Sequence, residues 1–441
     1  MDVLTVGWIM IGLLLIFMAA GVPVGVTFIS AGLICSYLLM GVNGSLSMLG
    51  QVAYHSVATP TWVCIPLFIL MGGFAAIGGF AQRAYKSISV LAARLPGSLA
   101  IATCYACAAF GAMSGSSIAT TAIFGRLSLP EMQRYGYDTR LSVGCIASAG
   151  TFASMIPPSM MFIIYAMFTQ TSVAKLFAAG VVPGILTATV YAIYIYVAAK
   201  RNPKIAPMPP AEILNLAWRE KIRIAIQIWP ILVIAILMMG GMYTGVFTAT
   251  EAAAAGALFA LALGWMLGDI RSLSAVVKAM KDSANTTAML FLINIGALYY
   301  SRILAMTRVP TMITESLNTW HLSPLMVLIG VIIIMYFLGM IMVPVGIYAL
   351  TLPIAFPLLV SMGYDPIWFG VIALKLTEIG CLTPPVGLNA FAMKGVVGKD
   401  ISLETIFRGC MPFIALESVC LIILVIFPGI STWLPNLLFG K

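Results

Sequence analysis

Seven stretches of this chain, residues 3–20, 22–40, 176–199, 228–240, 252–267, 324–339 and 413–427, run almost without a charged side chain. Most approach the roughly 20 apolar residues that a helix needs to cross a bilayer core about 30 Å thick. Hydrocarbon offers no partner to a backbone N–H or C=O, so such segments must be helices that pair their own backbone. Composition agrees, because only 8% of residues are charged, against about 25% in a soluble domain. The outer surface therefore faces hydrocarbon, and membrane lipid is the first partner. The expected fold is an all-α polytopic membrane protein. No Lys or Arg precedes the first apolar run, so that run reads as a retained helix and not as a cleaved signal.

The net charge of +9 would suggest nucleic acid in a soluble protein, but the placement of the charges argues otherwise. Eighteen of the 23 basic residues crowd into five clusters: 83–94, 126–140, 200–223, 271–281 and 394–408. Segments 43–62, 241–251 and 361–368 carry none. Under the positive-inside rule the clusters are cytoplasmic loops and the neutral segments face outward. No nucleic-acid partner is expected. The cysteines give no metal site either: Cys104 and Cys107 form one C-x-x-C with no second pair, which reads as small residues filling a helix interface.

The polar stretch from Lys200, with Pro203, Pro207, Pro209 and Pro210 followed by an amphipathic basic segment, divides the chain. We take 1–199 as a first repeat, 200–226 as a cytoplasmic basic linker and 227–441 as a second repeat. A shift of 227 residues lays Pro130 on Pro357, Gly136-Tyr137-Asp138 on Gly363-Tyr364-Asp365, and Pro157-Pro158 on Pro384-Pro385. The first copy carries Arg126, Arg134 and Arg140, whereas its partner segment 353–367 has no basic residue. Equivalent loops then lie on opposite sides of the membrane, and the repeat is inverted. Inverted repeats are an architecture of secondary transporters, which bind substrate at the repeat interface.

Each repeat contains two interrupted apolar segments at matching positions. In the first these are a hairpin near 98–126, around GAMSGSSIATT, and a broken helix near 157, in ASMIPPSMM. In the second they are a hairpin near 324–357, around GMIMVPVGIYALTLP, and a broken helix near 384, in IGCLTPPVGLN. Gly and Pro interrupt the helical ladder, and Ser or Thr hydroxyls replace lost partners. Freed carbonyls and hydroxyls suit a dehydrated Na⁺, and helix N-termini suit a carboxylate.

The stretches GAMSGSSIATTAIFG, IPPSMMFIIYA and TPPVGLNAF resemble the large membrane subunit of tripartite ATP-independent periplasmic (TRAP) transporters, and the similarity runs over essentially the whole chain. The resemblance implies an inverted-repeat, elevator-type importer of the bacterial inner membrane with two re-entrant helical hairpins. Na⁺ would be the coupling ion of symport, with no other cofactor. A soluble periplasmic substrate-binding protein would deliver a small organic anion, such as a dicarboxylate, sugar acid, sialic acid or sulfonate. A small four-helix membrane subunit would be a separate polypeptide.

Carried over by position, the first tip is Ser114, Gly115, Ser116 and Ser117, facing the break at Pro157, Pro158 and Ser159. The second tip, with Pro344 and Gly346, faces Thr383, Pro384, Pro385, Gly387 and Asn389. One Na⁺ is expected at Ser117, Thr120 and Pro157, and another at Gly346, Thr383 and Pro384, with Asn389 as a side-chain candidate for substrate. One departure is Val343: many members of the family carry an acidic residue there, so a role for that carboxylate does not transfer.

Ionisable groups at membrane depth are costly and usually functional. Lys375 and Glu378 lie three apart on one helix, either as an internal ion pair or in contact with substrate or ion. Arg302 reads either as a side chain snorkelling near a helix end or as an attractor of anions. An intramembrane protease would need a base beside Gly115-Ser116-Ser117, but His55 and His321 fall in polar segments outside the membrane core. The competing transport reading is a stand-alone carrier or antiporter that needs no binding protein. A channel fits less well, since no continuous polar stripe lines a helix.

Overall fold

A computed structural model describes residues 2–208, 216–312, 315 and 322–440. Pro209, Pro210 and His321 lie outside the described residues. Every regular element among the described residues is helical. Among the described residues eight helices are long and apolar enough to cross a membrane, and up to ten spans result if each of two bent pairs counts as one. Large apolar side chains such as Ile236, Phe337 and Ile422 remain exposed on the outer surface, where hydrocarbon and not water is the solvent. The protein is an all-α polytopic membrane protein.

One apolar cluster is formed mainly by α1 (Val3–Ala19), α2 (Val24–Ala58) and the long α14 (Leu273–Met306), and Ala349 joins it from a later helix. In lipid such contacts rely on close approach and interhelical hydrogen bonds rather than on a hydrophobic effect. A Cβ at Gly296 would stand 2.6 Å from the carbonyl oxygen of Gly25, and one at Gly32 would stand 2.8 Å from the Tyr299 ring. The hydroxyls of Ser36 and Tyr299 bridge the same pair of helices at 2.7 Å.

Around this cluster the chain continues as α3 (Cys64–Ile77) and α4 (Phe80–Ala92), bent by 62° at Gly78-Gly79. Helix α4 is amphipathic, as its alternation of Arg83 and Lys86 with buried Phe80, Ala84 and Tyr85 requires. It packs beside α11 (Trp218–Ala225), the basic helix of the central linker, where Ser87 Oγ donates to the Ile224 carbonyl at 2.9 Å. The Arg83 guanidinium meets the Asp269 carboxylate at 2.5 Å, tying α4 to the turn after α13 (Ala249–Met266). Helix α12 (Trp229–Tyr243) precedes α13.

The remaining helices come in two runs. The first is α5 (Ser98–Ser114), α6 (Ser117–Arg134), α7 (Thr139–Ala149), the single turn α8 (Phe152–Met155), α9 (Met160–Thr169) and α10 (Val173–Arg201). The second is α15 (Pro324–Ile341), α16 (Pro344–Ser361), α17 (Pro366–Gly380), α18 (Leu388–Val397) and α19 (Leu403–Ile426), closed by α20 (Gly429–Phe439). Offset by 227 residues, the bounds of α5 and α6 fall within one residue of those of α15 and α16. Asp138 and Asp365, equivalent under the same offset, each cap the following helix by accepting backbone N–H bonds.

The two runs interlock through glycine. A Cβ at Gly144 of α7 would lie 2.1 Å from the Gly409 carbonyl oxygen of α19, and one at Gly409 would lie 2.3 Å from the Arg140 carbonyl oxygen. Backbone meets backbone there, so no side chain can move aside. Gly144→Val is therefore expected to destabilise the purified protein by the cost of overpacking, about 1–3 kcal/mol or more, read as a lowered melting temperature in detergent. Gly240→Val, whose Cβ would have no atom within 4 Å, should leave the melting temperature near that of the wild type. Equal shifts in the two variants would show that the α7–α19 contact is not limiting.

Candidate functional site

The first hairpin turns at Gly115, which ends α5 in a left-handed conformation (φ +59) that a side chain would strain. A Cβ there would also stand 3.0 Å from the Pro158 carbonyl oxygen, so the tip rests directly on the break between α8 and α9. That break bends the chain by 46°. Pro157 and Pro158 bring no N–H to it, and Ser159 restarts the helix by accepting from the Phe162 N–H at 3.3 Å. Ser116 caps α6 from the other side of the tip. Two N-cap serines, two helix N-termini and a proline pair thus meet at one place. Ser114 and Thr120 are buried and joined by their hydroxyls at 3.2 Å, and Ser117 is buried beside them in sequence.

The second arrangement is more open. Val343 and Pro344 turn the chain between α15 and α16, and Val343, Pro344 and Pro384 are only partly buried while Pro385 is exposed. The Val386 N–H donates to the Met340 carbonyl at 3.3 Å, and a Cβ at Gly380 would lie 2.4 Å from the Gly339 carbonyl oxygen. This break therefore rests on the last turn of α15. Thr383 Oγ1 donates back to the Ile379 carbonyl at 2.7 Å. Gly387 starts α18 with φ +51. Gly346 faces elsewhere: the nearest atoms to its Cβ position belong to Met342, Val24 and Val343.

The two runs meet at Asn389. Its side-chain N–H donates to the Ala147 carbonyl at 3.2 Å, and Thr121 Oγ1 donates to the same carbonyl at 3.3 Å. A Cβ at Gly150 would lie 2.0 Å from Thr121 Oγ1 and 2.9 Å from the Ser117 carbonyl oxygen. Asn389 Oδ1 is buried with no hydrogen-bond partner. The first tip also borders a cleft of about 590 Å³, within the range of roughly 300–1,000 Å³ usual for small-molecule sites. Ser114 and Ser116 form one wall, and Gly72 of α3 with Lys278 and Asp282 of α14 form the other.

The buried charges differ from the expected pairing. Lys375 does not neutralise Glu378. Its ammonium forms an ion pair with Glu417 of α19 and donates to Thr187 Oγ1 of α10 at 2.8 Å. Glu417 Oε1 also accepts from Tyr191 at 2.8 Å and from Thr151 at 3.2 Å. The physical reason is convergence: α10 brings Thr187 and Tyr191, and the chain just before α8 brings Thr151, to one ammonium–carboxylate pair, which a lone neighbour on the same helix cannot match. Glu417 was legible as the one acidic residue inside the apolar run 413–427. Thr151, Thr187 and Tyr191 carried no such signal. Arg302 is exposed on α14 beside His55 and Gln170. Among the described residues no three His, Cys, Asp or Glu side chains form a metal-binding group.

Interrupted helices enclosed by hydroxyls and stacked in two matching runs are features of secondary transporters. The chain matches, over residues 11–430, the family described as tripartite ATP-independent periplasmic transporter, DctM component, and it belongs to that family. The C4-dicarboxylate TRAP transporter large permease protein DctM of Vibrio cholerae is 33% identical, with 96% of each chain covered. Its counterpart of the same name in Pseudomonas aeruginosa is 37% identical over 85% of this chain and 86% of that one. The isethionate TRAP transporter permease protein DctMQ of Oleidesulfovibrio alaskensis is 30% identical over 96% of this chain and 65% of the relative. Among solved structures, MtrF of Neisseria gonorrhoeae, at 15% identity, shares the fold with a TM-score of 0.61 over 92% of this chain and 94% of its own. The family consists of transport permeases and not enzymes, and its bacterial members are integral membrane proteins consistent with the inner membrane.

Removing one partner of a buried ion pair costs about 3–5 kcal/mol, whereas replacing both by apolar side chains is often neutral. Lys375→Met is expected to lower the melting temperature in detergent more than Glu417→Gln does. In the latter the ammonium can still turn to Glu378, one turn along α17. The double variant Lys375→Met/Glu417→Met should recover most of the loss. A double variant as unstable as Lys375→Met would show that the pair itself is not what the site requires.

Proposed function

We propose that this chain is the translocating subunit of a Na⁺-coupled importer of small organic anions, carboxylate or sulfonate, which a periplasmic binding protein delivers. The observation that carries the reading is the contact of the Ser114–Ser117 tip with the Pro157-Pro158 break. Backbone oxygens and the hydroxyls of Ser114, Ser117 and Thr120 gather there, a donor set suited to a dehydrated monovalent cation. Two helix N-termini at the same place suit an anion. The break at Thr383-Pro384-Pro385 would supply the second cation site, and the free Asn389 Oδ1 and amide would contact substrate where the runs meet.

Several features support the wider scheme. The 227-residue offset that aligns α5–α6 with α15–α16 favours two repeats, 1–199 and 227–441, joined by the basic linker, and the opposite charge of equivalent loops favours inversion. The apolar cluster built mainly from α1, α2 and α14 supports reading them as a frame against which the hairpins and broken helices move together, as an elevator requires. Membership of the family carries with it a small membrane subunit and a binding protein. This chain aligns to 65% of the relative named DctMQ. Relatives named for C4-dicarboxylates and for isethionate favour carboxylates and sulfonates as the substrate class.

The test is uptake into proteoliposomes holding the large and small subunits, with a cognate binding protein outside. Uptake is expected only with the binding protein and an inward Na⁺ gradient, and transport by this chain alone would overturn the tripartite reading. Ser117→Ala and Thr383→Ala should each raise the Na⁺ concentration for half-maximal uptake by about fivefold or more. Wild-type sodium dependence in both variants would sink the assigned cation sites.

A further inference from the structure

With Lys375 committed to Glu417, the charge count inside the protein does not close. Glu378 is buried, with 2% of its surface exposed, and neither of its carboxylate oxygens has a hydrogen-bond partner. The hydroxyls of Ser154 and Ser117 face its carboxylate. These three side chains come from separate elements. Ser117 opens α6 at the first hairpin tip, Ser154 lies in the turn α8 just before the Pro157-Pro158 break, and Glu378 lies on α17 just before the second break. The ionisable groups facing Glu378 are Lys375 on its own helix, Cys381 just beyond it, Tyr348 from α16 and Glu417 from α19. Only Lys375 among them is cationic, and Glu417, Thr187, Tyr191 and Thr151 already satisfy that pair.

An isolated carboxylate is not tolerated at such a site unless a cation comes to it. We propose that Glu378 is a cation-binding group of the transport cycle, its carboxylate taking a monovalent cation together with the hydroxyls of Ser117 and Ser154. The inference deepens the reading of the first tip-and-break site and rests on it: that site carries a formal negative charge supplied from the second run of helices. Cation binding there ties the Ser117 tip to α17, so the two runs close on each other when the site is filled and separate when it empties. Two sources share this chemistry. Sodium would be held by the carboxylate and both hydroxyls, while a proton would sit on one carboxylate oxygen.

The purified complex of large and small subunits distinguishes them without turnover, because a ligand that binds only the folded state raises the melting temperature by a term that grows as the logarithm of one plus the ratio of ligand concentration to Kd. The melting temperature is measured against Na⁺ concentration at several pH values, for wild type and Glu378→Gln. If sodium occupies the site, Glu378→Gln raises the Na⁺ concentration needed for a given rise in melting temperature by about tenfold. If a proton occupies it, Glu378→Gln leaves the Na⁺ response intact and abolishes its dependence on pH. Wild-type responses to both overturn the proposal, since Gln then merely replaces a carboxyl that is permanently protonated. Should Glu378→Gln fail to give a monodisperse complex, Ser154→Ala is read the same way. An increase of about fivefold in the Na⁺ requirement, or a shifted pH profile, supports the site, and unchanged curves overturn it. A wild-type complex that Na⁺ does not stabilise would defeat sodium coupling by itself, and the pH comparison alone would then judge Glu378.

Discussion

A helix that stops inside a membrane protein strands carbonyls and N–H groups where water cannot reach them, and this chain interrupts its helices at 115, 157–158, 342–343 and 381–387. Each interruption must be covered by protein, and the covering explains much of the packing. Gly115 rests on the Pro158 carbonyl, Val386 reaches the Met340 carbonyl, and Asn389 closes its own turn by donating its backbone N–H to the Cys381 carbonyl at 2.9 Å. Glycine recurs wherever one of these turns must touch another backbone. The hairpins and breaks are thus one packing problem with one solution, repeated with different side chains.

The two solutions are not equivalent. The first hairpin is enclosed, with nearly all of α5 buried, whereas α15 presents much of its surface outward. The first tip is lined by serine and threonine and the second by Val343 and Pro344. Enclosure with hydroxyls favours a small dehydrated ion, and partial exposure favours a gate. A common backbone thus carries two chemically different pairs of broken helices.

Much of the fold was legible because it rests on local rules. Long apolar runs are helices in lipid, and Gly115, Pro157-Pro158 and Pro384-Pro385 announce interruptions through the backbone alone. The motifs around them also sufficed to place the chain in its family. What could not be read was who faces whom. Spacing puts Lys375 beside Glu378 on one helix face, yet the partner that wins is Glu417, 42 residues later in the sequence. That outcome depends on where α10 carries Thr187 and Tyr191 and where α19 carries Glu417, which no local pattern encodes. Gly346 is similar: its place at the tip follows from sequence, but its contact with Val24 of α2 follows from the assembled fold.

The buried charges follow from the same division between local and assembled structure. A bilayer tolerates an ion pair with satisfied lone pairs far better than a lone charge, and the Lys375–Glu417 pair, with its hydroxyl partners, meets that condition. Its elements, α10, α17 and α19, span both runs of helices, so the pair fastens them together. Glu378 stands one turn along α17 with the opposite condition, unpartnered and beside the hydroxyls of the first tip. A satisfied pair holds one geometry, whereas an unsatisfied carboxylate changes its energy with whatever cation reaches it. Side by side on a single helix, the two place a satisfied ion pair and an unpartnered carboxylate at the interface between the two runs.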